Sequence, residues 1–121
     1  MATIKSYSDL QQSRKLAEIL PIESADMYYE EGIGNNYRIN FGNYADIDIS
    51  KNLLHIDAFP CWSLAALLSI LHFPSLTQNK EDEWEVCVFD HDNDNYIEKT
   101  ASNPVDTCVA MIEKLNGLNL L

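Results

Sequence analysis

Leu64, Leu67, Leu68 and Leu71 recur at helical spacing, with Ala65 and Ala66 among them and few polar positions between. This pattern predicts a helix buried on most sides, opening at Pro60-Cys61-Trp62 and ending before Pro74. A second stripe, Val105, Cys108, Val109, Ile112 and Leu115, follows Asn103-Pro104. Ser102 or Asn103 caps that helix, and Pro104 suits its first position, where the missing N–H would have no helical partner. Asn116-Gly117 closes it. Near the N-terminus, Ser8-Asp9-Leu10-Gln11 has the form of a capping box, in which side chains at both ends satisfy each other's backbone amides. Leu10, Leu16, Ala17, Ile19 and Leu20 give an imperfect apolar face, and Pro21 ends the segment.

Between these helices the period changes to two. Met27-Tyr28-Tyr29 is short and aromatic, and Tyr37–Phe41 alternates after a glycine- and asparagine-rich gap. Asp46–Ile49 and Leu54–Ala58 alternate as well. With Lys51-Asn52 as a two-residue turn, Ile49 pairs with Leu54 and Ile47 with Ile56 on one face. The other face then carries Asp48 beside His55 and Asp46 beside Asp57. Two opposed aspartates cost stability unless they are well solvated or meet a cation or a basic partner. After the charged loop Lys80–Glu83, Trp84–Phe89 and Tyr96–Thr100 form a second hairpin across an acidic turn. The order helix, strands, helix, hairpin, helix predicts an α+β fold. The expected architecture is a single domain over residues 1–121, an antiparallel sheet of about four to five strands with three helices packed mainly on one face.

Composition narrows the setting. At 121 residues and 46% hydrophobic content the chain suits one folded domain. No apolar run reaches the roughly 20 residues needed to span a bilayer, and the N-terminus lacks the apolar centre of a secretion signal. Three cysteines, an odd number, point to reduced thiols in a cytoplasm. Nineteen acidic against eight basic residues give a net charge of −11. Such a surface repels nucleic acid and anionic membranes, keeps a small protein soluble, and attracts a basic protein surface.

Two stretches invite a chemical reading. Cys61-Trp62 at the start of a helix resembles the nucleophile segment of papain-like proteases, because a helix N-terminus favours a thiolate. Phe59-Pro60 replaces the residues that family carries before its cysteine, and its oxyanion glutamine would fall on His55. The chain also ends too soon after Cys61 for the family's distant histidine. A hydrolase built on Cys61 would need His55 or His91 as its base. The bland alternative is a buried thiol packed beside Trp62. In Asp90-His91-Asp92-Asn93-Asp94-Asn95, aspartates at alternate positions resemble the opening of an EF-hand loop. Asn95 stands at the sixth position and Ala101 at the twelfth, where a bidentate glutamate is needed. Turn-forming Asp and Asn explain residues 90–98 more simply than a weak cation site does. No phosphate loop, Cys-x-x-Cys or His-Glu-x-x-His occurs, so neither a cofactor nor a metal centre is expected.

Two longer segments, Pro60–Leu68 and Asn103–Leu115, together with Ser13–Tyr29, resemble a group of small proteins found in prophages and other mobile elements of gut anaerobes. That pattern runs Pro-(Cys/Ser)-Trp-Ser-Leu into a helix, then a hairpin beginning at tryptophan, then Asn-Pro-Val-Asp into a last helix. The resemblance implies a phage or mobile-element context and a shared fold, and it implies no activity. The sequence therefore favours a non-enzymatic acidic binding or accessory protein. Asp46, Asp48 and Asp57 are its candidate partner-binding residues, and an edge strand within residues 37–49 would allow a homodimer.

Overall fold

In the computed structural model, which describes residues 5–32, 36–45 and 58–121, the first helix starts one residue later than its sequence signal implies. Helix α1 spans Leu10–Ile19 with Asp9, not Ser8, as its N-cap. The Asp9 carboxylate accepts from the Gln12 amide at 2.8 Å, and the Gln12 side chain accepts from the Asp9 amide at 3.0 Å. The box is present, shifted by one, because Ser8 is buried and bonded elsewhere. Leu20 leaves the helix in extended backbone ahead of Pro21, and a 3-10 turn follows over Ile22–Ser24.

The described residues divide into two compact units, and the division falls inside the second helix. In the unit of residues 7–66, strand β1 (Met27–Glu31) lies between β2 (Tyr37–Phe41) and β3 (Ala58–Cys61), antiparallel to both. Tyr28 stands opposite Asn40 on one side and Pro60 on the other. Among the described strands β3 lies at the edge of this sheet, a place where the missing N–H of Pro60 is tolerated. Arg38 and Glu30, opposite each other in the register, form an ion pair at 3.1 Å. Helix α1 packs against β3 with Ser13 and Leu16 buried. Helix α2 (Leu64–Ile70) begins after Ser63, whose hydroxyl accepts from the Ala66 amide. Phe59-Pro60-Cys61 is thus strand and not helix start. Of the predicted leucine stripe, Leu67 and Leu71 are buried while Leu64 and Leu68 are half-buried.

In the other unit, β4 (Ser75–Gln78), β5 (Trp84–Asp90) and β6 (Asn95–Ala101) form a second antiparallel sheet in that order. Strand β4 has no apolar alternation, and its existence rests on backbone pairing with β5. Helix α3 (Pro104–Gly117) packs on β5 and β6 and buries every residue of the predicted stripe, with Pro104, Thr107 and Met111 besides. Val86 and Val88 meet it from the sheet, and the Thr107 hydroxyl lies 3.2 Å from the Trp84 carbonyl. Lys5 reaches Asp106 in the first turn of α3 at 2.9 Å. The fold is α+β, as expected. Among the described residues the strands form two three-stranded sheets in place of one sheet of four to five, β1 and β5 each being paired on both sides, while the predicted pair Asp46–Ile49 and Leu54–Asp57 lies outside the described residues.

Asn103 accepts from the Asp106 amide through its side chain at 2.8 Å and from Thr107 through its carbonyl. Asn103→Ala should therefore lower unfolding stability by about 1 kcal/mol, read from urea denaturation as a lower midpoint at unchanged slope.

Candidate functional site

Cys61 ends β3 and is 0% exposed. Its thiol donates to the Ser8 carbonyl at 3.4 Å and lies 3.6 Å from the Ser8 hydroxyl. That hydroxyl is 2.7 Å from the Ser13 hydroxyl and accepts from the Trp62 amide at 3.1 Å. The Ser8 amide donates to the Trp62 carbonyl at 2.9 Å, and the Tyr29 hydroxyl donates to the Ser8 carbonyl at 2.8 Å. Trp62, equally buried, directs its indole N–H to the Ser24 hydroxyl at 2.9 Å. Beyond it, Asp26 accepts from the Ser63 amide at 2.9 Å and from the Ser63 hydroxyl.

The electrostatics of this cluster follow from its dryness. Burial pushes the Cys61 thiol up from its ordinary value, outweighing the hydrogen bonds from Ser8 and Ser13 that act the other way. Burial raises the Tyr29 phenol too. The helix N-terminus expected to favour a thiolate begins at Leu64, past Trp62 and Ser63. Of the two histidines considered as a base, His55 lies outside the described residues. His91 sits on an exposed turn with its ring edge-on to Phe89 at 4.8 Å. What surrounds the sulfur is a carbonyl and hydroxyls, a setting in which cysteine behaves as a small apolar side chain with a weak donor.

The acidic turn between β5 and β6 is organised by its own hydrogen bonds. One carboxylate oxygen of Asp90 accepts from the amides of Asp92 and Asn93, at 3.0 and 3.3 Å. The other accepts from the Asn93 side chain at 2.7 Å. These bonds, the Asn93 side chain first, hold the Asp90 carboxyl below the usual range. Asp94 takes φ of 53°, the left-handed conformation Asp tolerates in turns. The EF-hand-like spacing resolves into a hairpin turn, and among the described residues no three His, Cys, Asp or Glu side chains gather to hold a metal ion.

Asp46, Asp48 and Asp57 lie outside the described residues. The structure instead places an acidic and aromatic surface where sequence reasoning saw only a strand pair. Along β5, Val86 and Val88 point to the α3 side, so Glu85, Cys87 and Phe89 share the opposite face. The register sets Tyr96 against Phe89 and Glu98 against Cys87 on that face. The Phe89 and Tyr96 rings meet edge-on at 5.0 Å. Period-two alternation in Glu85-x-Cys87-x-Phe89 and Tyr96-x-Glu98 was the available signal.

The chain matches no family model, no curated protein and no solved structure. Among the described residues no helix is long and apolar enough to cross a membrane.

All three thiols are free. Burial in α3 pushes Cys108 from 9.0 up to about 11. The unfolded chain therefore ionises this thiol first, and its stabilising contribution, complete below pH 9, is lost as pH rises to about 11. The thermal midpoint should fall across that window, and Cys108→Ala should lower the midpoint at neutral pH while making the fall shallower. Calorimetry of both proteins as a function of pH checks this.

Proposed function

We propose that this chain is a non-enzymatic acidic binding or accessory protein of phage or mobile-element kind, which docks a protein partner through a basic surface on that partner. The observation that carries the reading is the excess of nineteen acidic over eight basic side chains, which leaves most carboxylates with no cation of their own chain. The two ion pairs seen among the described residues, Lys5–Asp106 and Arg38–Glu30, use part of that small basic complement. Surplus charge of one sign steers an oppositely charged partner and repels nucleic acid and anionic lipid. The dry setting of Cys61 supports a structural and not a nucleophilic role for it, and three free thiols suit a reducing cytoplasm. Asp46, Asp48 and Asp57 belong to the proposed surface by sequence. Strand β2, at the edge of its sheet among the described strands, offers the edge a homodimer would use.

Immobilised protein incubated with host lysate at low salt should retain a basic protein and release it at about 0.5 M salt, where exposed charges are screened within a few ångström. Failure to retain any salt-sensitive basic partner would overturn the proposal.

A further inference from the structure

The outward face of the sheet formed by β4, β5 and β6 has the features of a docking surface, and its chemistry selects one kind of occupant. We infer that this face binds an extended protein segment carrying arginine or lysine at alternate positions. The inference rests on the binding reading above and assigns it a place.

Three observations converge. First, the face is aromatic and open at one end. Tyr96, next to the turn that joins β5 and β6, is 67% exposed although its side chain is large, and its ring meets Phe89 edge-on, which in turn meets His91. The ladder between β4 and β5 begins with Ser75 opposite Cys87, so the chain enters β4 from the Phe89 end of the sheet. There Phe73 is 92% exposed and held at φ of 47°, a conformation unfavourable for a bulky residue. Water-exposed aromatic rings at one end of a sheet offer π faces to a cation.

Second, the acids lie beside those rings. Glu98 stands directly across from Cys87, and Glu85 is its diagonal neighbour. The charges of Glu98 and Glu85 both act on Cys87, adding to the burial that raises its thiol, so the two carboxylates bear on one spot. Third, the register places no lysine or arginine on this face: Lys99 falls on the α3 side, and among the described residues neither Glu85 nor Glu98 makes an ion pair. This face therefore presents negative charge and π surface, and the sheet's lysine, Lys99, lies on the other side.

An extended segment suits this geometry. Alternate side chains of a strand repeat at about 7 Å, comparable with the roughly 7–8 Å between diagonal neighbours on a sheet. Arginines at alternate positions can thus meet Glu85 or Glu98 and the Phe89–Tyr96 pair in turn, with guanidinium groups suited to both carboxylate and ring.

The test uses the full chain and a short synthetic peptide of alternating arginine and threonine, titrated at low salt by calorimetry. Variants Glu98→Lys and Tyr96→Ser are compared with Glu113→Lys, an exposed position on α3, after thermal melts confirm that all three fold. The inference predicts that Glu98→Lys and Tyr96→Ser each weaken binding by about tenfold or more, while Glu113→Lys changes it by less than about twofold. Equal loss in all three variants, or loss in none, overturns this face and leaves the general acidic reading standing. A wild-type chain that ignores the peptide yet captures a basic protein from lysate also overturns the face alone. A chain that does neither overturns both.

Discussion

The Ser8 residue is the joint on which the 7–66 unit depends. Its amide, carbonyl and hydroxyl meet Trp62, Cys61, Tyr29 and Ser13, all from one fully buried position. This single residue fastens the segment ahead of α1 to the junction of β3 and α2. An apolar residue in its place would leave the Trp62 amide without that acceptor in a dry interior, a loss typically worth about 1–3 kcal/mol. The same contacts surround the Cys61 thiol, which donates to the Ser8 carbonyl and lies beside the Ser8 hydroxyl, a setting that suits a small apolar side chain with a weak donor.

How far the sequence reveals this varies by segment, for physical reasons. Helix α3 is legible throughout, because Asn103, Pro104 and the Val105–Leu115 stripe are local signals that all agree. The start of α1 is ambiguous by one residue, since Ser8 and Asp9 are both good caps and Gln11 and Gln12 both complete a box. Burial of Ser8 settles it in favour of Asp9, which no local rule contains. Pro60 misleads more seriously. Ahead of an apolar helical run it reads as a helix start, while in the fold it occupies a strand at the edge of the described sheet, where a missing N–H is tolerated. Strand β4 leaves almost no trace in Ser75–Gln78, because an exposed edge strand needs backbone pairing more than apolar side chains.

The candidate surface shows the same division. Alternation with aspartates on one face points to Asp46, Asp48 and Asp57, whereas the mixed acidic and aromatic pattern of Glu85, Phe89, Tyr96 and Glu98 is split between two stretches of chain. That pattern becomes visible only when the pairing of β5 with β6 brings two separate stretches onto one face. The two faces of this sheet differ sharply in character. One carries Val86, Val88 and the contact with α3, where apolar burial fixes the register. The other is free of that demand and holds the exposed Tyr96 ring beside the half-buried Phe89, with carboxylates that make no ion pair among the described residues, the kind of composition a partner can use.

The claim beneath this account is that the Cys61-Trp62 pair is interior and that function is left to the surface. The most direct measurement is the rate of iodoacetamide labelling in a chain whose only thiol is Cys61, with Cys87→Ser and Cys108→Ala removing the others. The account predicts labelling far slower than a model thiol under native conditions, rising to the model rate when urea unfolds the chain. Labelling in the folded protein as fast as a free thiol, or faster, would contradict it.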